Sequence, residues 1–338
     1  MDYELTLFDR KNVIKDTINK YGESNFYLSF SGGKDSTILH YLLDMALPNN
    51  RIPRVFINTG IEYNDIVAFV KELAEKDDRF VILKPSVPIK PMLEKFGYPF
   101  KSKQHSHNIM LYQGGNKEKF EEIKKVIDAN PNLLKDYNFI HDLPIGLKTL
   151  VKYRYGVRER ERESCMSIMT IPKTLQYQLT PQFNIKLSDK CCLKLKKEPI
   201  RLWEKQTNRK VAITGMRAEE GGTRSIIKGC ILTDKDGNLK KFHPLLKVDD
   251  EWENTFIKEQ KIDVCKLYKE PYNFKRSGCK GCPFALTLQE QLDTMARLLP
   301  NERKQCEVIW KPVYDEYRRL NYRLKNQMSI FDFMEENE

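Results

Sequence analysis

Apolar runs and amphipathic stretches alternate along the first ninety residues. "NFYLSF" (25–30) is a short continuous apolar run of the kind a buried strand shows. After it, Ile38, Leu39, Leu42, Leu43 and Ala46 recur at helical spacing and share one face. "RVFINTG" (54–60) reads as a second strand, "NDIVAFVKELAEK" (64–76) as a helix and "RFVILKPS" (79–86) as a third strand. Strand alternating with helix predicts an α/β fold, a Rossmann-like parallel sheet with helices on both faces. Ligand-binding loops then belong at the carboxyl ends of the strands.

The pattern divides the chain further. Residues 1–100 form the first α/β half, and 101–187 read as a helical insertion or cap over the ligand edge of the sheet. That stretch holds "KSKQHSHN", an amphipathic segment near 117–128, and the mixed-charge run "KYRYGVRERERES" (152–164). Alternating Arg and Glu in that run suit a solvated, salt-bridged helix at least as well as a polyanion surface. His105 and His107 have no third ligand nearby in sequence and are expected on a polar loop.

Residues 188–285 make the second half of the α/β domain. The sheet resumes at "KVAITGMR" (210–217), and "GCILTDKDGNLKKFHPL" (229–245) is a hairpin turning at Asp236-Gly237. Residues 286–338 are helices and a tail. Cys306, Ile309, Trp310, Val313, Tyr314 and Tyr317 share one helix face, and Pro312 is expected to kink or interrupt that helix.

Composition narrows the class. The 338 residues are 40% hydrophobic, and no apolar run reaches the roughly 18–20 residues a membrane span needs, so no membrane partner is expected. The opening "MDYELTLFDR" lacks the basic start and apolar stretch of a signal peptide, so a cytoplasmic location is expected. Eight cysteines in a reducing compartment read as metal ligands, catalytic thiols or buried hydrophobes rather than disulfides. The net charge of +11 points to a polyanionic partner, DNA or another nucleic acid, or to a phosphorylated ligand; general solubility is the plain alternative.

Between the first strand and helix lies "SGGKDS" (31–36). A Walker loop would need glycine at position 28 and Ser or Thr at 35, where the chain has Leu28 and Asp35. Strand, glycine pair and helix can still build a nest of backbone N–H groups at a helix N-terminus. Ser31 and Ser36 add hydroxyls, and Lys34 adds a point charge.

This segment resembles the pyrophosphate loop of the adenine-nucleotide alpha-hydrolase superfamily, whose members include ATP pyrophosphatases and sulfonucleotide reductases. "INTGIEYND" (57–65) is similar to the family's Asp-Thr-Gly segment, with Asn58 in place of the usual aspartate. "ITGMRAEEGGTRS" (213–225) and the stretch 242–282 extend the resemblance to the phosphoadenosine-phosphosulfate reductase family. The resemblance implies nucleotide contacts from Ser29, Ser31, Gly32, Gly33, Lys34, Asp35, Ser36, Asn58, Thr59, Gly60, Glu62, Gly215, Arg217 and Arg224. Lys34, Asp35 and Ser36 form the implied catalytic set. For Arg217 and Arg224, phosphate clamping by the planar guanidinium stands beside a surface ion-pair network.

"DKCCLKLKKEP" (189–199) and "RSGCKGCPF" (276–284) carry two cysteine pairs. Four thiolates in two tight pairs can surround one zinc or one [4Fe–4S] cluster. The pattern Cys191-Cys192, then Cys279-x-x-Cys282, resembles iron–sulfur sulfonucleotide reductases and implies a [4Fe–4S] ligand set, with zinc as the alternative. Cys165, Cys230, Cys265 and Cys306 lack partner spacing and read as buried hydrophobes.

The resemblance offers two chemistries. Reductases of the family carry a nucleophilic cysteine in a C-terminal Glu-Cys-Gly-x-His-like motif, and "RRLNYRLKNQMSIFDFMEENE" contains neither cysteine nor histidine. An intact "SGGKDS" suits ATP and Mg²⁺, with cleavage between the α- and β-phosphates. The chain is most similar in character to the ATP-pyrophosphatase component of DNA phosphorothioation systems, which carries a [4Fe–4S] cluster and works with a cysteine desulfurase. A non-catalytic nucleotide- and nucleic-acid-binding module with structural zinc is the reading from another class. "QMSIFDF", Gln327 to Phe333, resembles peptides that dock on bacterial sliding clamps; an apolar tail packing on its own domain is the alternative.

Overall fold

Phe26, Tyr27 and Leu28 are almost fully buried and make β1 (Phe26–Ser29) a central strand. It follows α1 (Tyr3–Tyr21), whose N-terminus is capped by the Asp2 carboxylate accepting from the Leu5 N–H at 2.8 Å. It precedes α2 (Lys34–Ala46), where Ile38, Leu39, Leu42, Leu43 and Ala46 are all buried, as their spacing predicts. The computed structural model describes residues 2–157, 170–221 and 224–325. The chain divides into two compact units, Met1–Pro88 with Lys194–Lys280, and Ile89–Leu193 with Gly281–Glu338.

The first unit continues through β2 (Arg54–Ile57), α3 (Asn64–Lys76) and β3 (Phe80–Leu83). The chain then runs through the helices of the second unit, α4 (Ile89–Phe96), α5 (Lys103–Leu111), α6 (Lys117–Ala129), α7 (Tyr137–His141) and α8 (Ile145–Tyr155). It returns as α9 (Glu198–Thr207), β4 (Val211–Ile213), the hairpin β5 (Ile231–Thr233) and β6 (Leu239–Phe242), and α10 (Asp250–Glu259). The six strands order as β3-β2-β1-β4-β6-β5, all parallel except for the antiparallel pairing of β5 with β6. The α/β expectation therefore holds, and the hairpin turns at Asp234–Asn238, around Asp236-Gly237.

Alternation along the strands gives the sheet two different faces. Tyr27, Val55, Val81 and Ala212 pack with Trp203 and Ile200 of α9, the Tyr27 and Trp203 rings meeting edge-on at 5.3 Å. On the opposite face Arg54, fully buried, donates from Nε to His40 Nδ1 at 3.0 Å and pairs with Asp44 at 2.6 Å, both on α2. Strand order reverses between β1 and β4: the chain moves outward from β1 to β3, then adds β4 on the other flank. A parallel sheet opens its binding crevice at the carboxyl ends of such a strand pair.

In the second unit, α11 (Leu288–Leu298) and α12 (Pro300–Arg319) complete the helices. Cys306, Trp310, Val313, Tyr314 and Tyr317 are buried along one side of α12, and Ile309 is half-buried. The expected interruption at Pro312 does not occur: α12 runs on through it. The bond Pro312 cannot donate would go to Val308, which is 61% exposed, where water can take up the carbonyl.

His105 and His107 lie in α5 rather than on a polar loop. His105 is buried, its ring nitrogens 2.6 Å from the Tyr153 hydroxyl and 2.7 Å from Gln178 Oε1, and burial lowers its pKa to about 4. His105 and Ser106 thus make internal hydrogen bonds, Ser106 to the Phe100 carbonyl, and these override the loop character of the stretch. Cys165, most of the charged run and Gln327–Phe333 lie outside the described residues.

Candidate functional site

The loop after β1 is fixed by packing and by its own hydroxyls. Gly32 has φ +71°, and a β-carbon there would stand 2.7 Å from Ile66 Cγ2 of α3. Only glycine meets both demands. The Ser36 hydroxyl donates to the Gly33 carbonyl at 2.9 Å and lies 3.1 Å from the Ser31 hydroxyl, which in turn accepts from the Gly33 N–H at 3.2 Å. Gly33 caps α2 with an extended backbone, so Lys34, Asp35 and Ser36 occupy its first turn.

Across the switch point, the segment after β4 closes on this turn. Gly215 allows the approach: a β-carbon would meet the Asp35 carbonyl oxygen at 2.9 Å. Arg217, 6% exposed, then sits among four carboxylates. Its Nε lies 3.2 Å from Asp35 and 3.1 Å from Glu253, its Nη1 3.1 Å from Glu219, and its Nη2 2.7 Å from Asp250. The hydrogen bond from Arg217 holds Asp250 below the ordinary carboxylate range.

Glu253 is fully buried, and its other oxygen stands 3.1 Å from Lys34 Nζ. Burial first, and then its contact with Asp35, push Glu253 up to about 8 against the pull of Arg217 and Lys34. Arg217 thus joins an ion network that runs from buried Glu253 to the exposed carboxylates of Glu219 and Asp250.

Lys34, Asp35, Arg217, Glu219 and Asp250 line a cavity of about 790 Å³ that also takes in Ser29, Ser31, Gly33, Ser36 and Thr214 to Met216. Arg224, Lys275 and Arg276 add cations to its wall. Arg224 pairs with Glu220, which Arg276 also reaches at 3.1 Å. A smaller cavity of about 270 Å³ shares Ser29, Ser31, Ser277 and Gly278 with it. Its walls are largely apolar, from Tyr27, Ile57, Ile66 and Ile200, with Glu62, Lys196 and Lys197 as the charged groups.

Thr59 and Glu62 turn toward each other: the Thr59 N–H donates to Glu62 Oε2 at 2.8 Å and its hydroxyl to Oε1 at 2.9 Å. Asn58 and Gly60 line neither of these cavities; they line a neighbouring one of about 350 Å³, with Glu62. Gly32 is buried behind the loop against α3. The sequence-expected residues are therefore brought together except for Asn58, Thr59, Gly60 and Gly32, which support or flank the cavities.

The four candidate cluster cysteines are thiols, Cys191 buried and Cys192, Cys279 and Cys282 half-buried. Cys279 lies in the first unit and the other three in the second. Among the described residues no group of three or more His, Cys, Asp or Glu side chains is arranged to hold a metal ion. By donor chemistry the set still fits an iron–sulfur cluster or zinc: four thiols, with Cys279-x-x-Cys282 in one short run. The Cys282 segment is held by α12 and the chain after it. The Tyr314 hydroxyl donates to the Gly281 carbonyl at 2.5 Å, and Tyr317 and Arg323 donate to that of Pro283 at 2.9 and 2.6 Å. As their spacing suggests, Cys265 and Cys306 are buried, whereas half-buried Cys230 accepts from Arg10 at 3.3 Å.

Glu253, Asp250, Tyr268 and Ser277 escaped the sequence reading. Glu253 left a signal: in "DDEWENTF" it stands between Trp252 and Phe256, a carboxylate set into the apolar stripe of α10. Tyr268, hydrogen-bonded to Ser277 beside Gly33, left none, because only the fold brings that segment to the loop.

Fold and site together define a Rossmann-like protein with a phosphate loop at the switch point of its sheet. A profile of phosphoadenosine phosphosulfate reductase domains matches residues 25–143 and 145–285, and the chain belongs to that family. An uncharacterized protein of Methanocaldococcus jannaschii is 32% identical over 100 residues, 29% of this chain and 24% of that protein. Among solved structures, phosphoadenylyl-sulfate reductase from Candida auris, a phosphate complex, is 12% identical with a TM-score of 0.41, covering 82% of this chain and 96% of the other. FMN adenylyltransferase from Candida glabrata is 13% identical with a TM-score of 0.42, covering 82% and 61%. The U34-tRNA thiolase of Methanococcus maripaludis, with its [4Fe–4S] cluster, is 14% identical with a TM-score of 0.35, covering 91% and 80%. Among the described residues no helix is long and apolar enough to cross a membrane.

Proposed function

We propose that the chain is an ATP pyrophosphatase that adenylates a substrate, a nucleic acid by its charge, for sulfur transfer. The observation that carries this reading is the convergence of Lys34 and Arg217 with the loop residues Ser31 to Ser36 on one cavity at the β1/β4 switch point. The loop amides and Lys34 would hold the phosphates, with the largely apolar 270 Å³ cavity taking the base. An oxygen of the substrate attacks the α-phosphorus, the α–β bond breaks, and pyrophosphate leaves against Lys34 and Arg217. Magnesium, when bound with ATP, supplies charge neutralisation at the phosphates.

Cys191, Cys192, Cys279 and Cys282 would hold a [4Fe–4S] cluster, which when bound supplies electron transfer or a sulfur-binding iron; zinc is the alternative for the same donors. DNA, a cysteine desulfurase and, through Gln327 to Phe333, a sliding clamp are the partners this reading calls for. The competing reading, reduction of a sulfonucleotide to sulfite, needs an accessible thiolate. Cys306, the one thiol after Cys282 in the sequence, is fully buried in α12, which speaks against it.

The test is pyrophosphate release from ATP by anaerobically purified protein, with and without DNA or RNA. Release that falls at least about 100-fold in Lys34→Ala supports the proposal. ATP binding without release under every condition, with zinc in the protein, supports a non-catalytic module instead. Sulfite formed from adenylyl sulfate or its 3′-phosphorylated form, and lost in Cys306→Ser, supports the reductase.

A further inference from the structure

Lys34 of the glycine loop and Arg217 of the segment after β4 face the same carboxylate. Lys34 Nζ and Arg217 Nε each stand 3.1 Å from the carboxylate of Glu253, one at each oxygen. That carboxylate is fully buried, and neither oxygen makes a hydrogen bond of good geometry with its neighbours. Its charged form is drawn by the two cations and opposed by burial and by the neighbouring Asp35 carboxyl.

The groups facing it are few. Lys34 and Asp35 come from the first turn of α2, Arg217 from the segment after β4, and Asp250 of its own helix shares Arg217. From α1, the Tyr3 ring packs at a tilt on the neighbouring Trp252, 5.7 Å between centroids. Ionised Glu253 competes with incoming phosphates for Lys34 and Arg217; protonated Glu253 releases both.

Resting on the nucleotide reading above, we propose that Glu253 is a positioning residue that couples phosphate binding to its own protonation: its ionised form, populated in alkaline solution, holds Lys34 and Arg217, and it is neutral whenever a nucleotide's phosphates replace it. Its position between the two cations assigns the role, and its raised affinity for a proton agrees with it. The proton comes from solvent on binding and returns on release, so charge balances over a cycle.

The experiment is titration calorimetry of the full chain with magnesium-ATP at pH 7, 8 and 9, in two buffers of different ionisation enthalpy. In the wild type, ATP affinity is expected to fall roughly tenfold between pH 7 and pH 9, with net proton uptake at pH 8. A carboxylate that must take up a proton on binding makes affinity follow the proton concentration once the pH exceeds its pKa. In Glu253→Gln the fall shrinks to less than about twofold and the proton uptake disappears, while Glu253→Asp restores both in part. Far-UV circular dichroism of each variant checks that it folds. Proton uptake unchanged in a folded Glu253→Gln overturns the inference alone. No ATP binding by the wild type at any of these pH values overturns the nucleotide reading, and this coupling with it.

Discussion

Gly215 lies so close to Asp35 that a β-carbon added to it would stand 2.9 Å from the Asp35 carbonyl oxygen, nearer than real contacts allow. The strand end after β4 and the first turn of α2 are therefore in backbone contact, and the phosphate loop has two walls from distant parts of the chain.

Gly215→Ala should push these walls apart. Forcing a methyl into such a contact costs about 1–3 kcal/mol. We expect ATP affinity to drop about tenfold or more in calorimetry while the circular dichroism spectrum is kept. An Ala variant that binds like the wild type would show that the two walls do not act together.

Arg217→Gln removes a cation from among Asp35, Glu219, Asp250 and Glu253. Breaking a buried ion pair on one side costs about 3–5 kcal/mol. The urea midpoint should fall accordingly, and adding Glu253→Gln should recover part of the loss. An unchanged midpoint would mean that water already compensates the carboxylates.

His40 gives the first unit a pH limit on the acid side. Burial and the neighbouring Arg54 lower its pKa from 6.5 to about 4, so its ring stays neutral and accepts from Arg54 Nε. As pH falls, the unfolded chain takes the proton first. The stability His40 supplies is complete above about pH 6.5 and is lost between there and about pH 4, up to about 3 kcal/mol. Urea midpoints at pH 7 and pH 5 measure it: the wild type should lose stability over this interval, and His40→Gln should lose distinctly less.

Cysteine variants separate ligands from packing. Cys279→Ser, or Ser at Cys191, Cys192 or Cys282, should reduce the iron and acid-labile sulfide of anaerobically purified protein. Cys230→Ser, whose thiol meets Arg10, should leave both counts unchanged. Equal metal content in Cys279→Ser and the wild type removes the cluster proposal.

The sheet was legible because each half-strand carries its own apolar run. β1, β2, β3, α2 and α3 follow the predicted segments closely, since burial on both faces leaves a continuous hydrophobic signature. The loop was legible because glycine, lysine and serine must sit at fixed steps to build it. Glu253 was harder to read: it is one of several acids in α10, and only its place beside Trp252 in the apolar stripe hints at burial, while its partners Lys34 and Arg217 come from distant segments. Pro312 leaves α12 uninterrupted and His105 sits in a helix rather than a loop for a shared reason. A residue's local preference yielded to its surroundings, an exposed carbonyl in one case and an internal hydrogen-bond chain in the other.

The order of strands also carries a consequence for synthesis. β1 pairs with β2 from nearby sequence, but its partner on the other flank, β4, lies more than half the chain away. As the chain emerges from the ribosome, β1 to β3 and the glycine loop can assemble while the residue that completes the anion pocket, Arg217, has yet to be translated. A nascent chain can thus display the glycine loop well before Arg217 stands across from it, which needs about two thirds of the protein to be made.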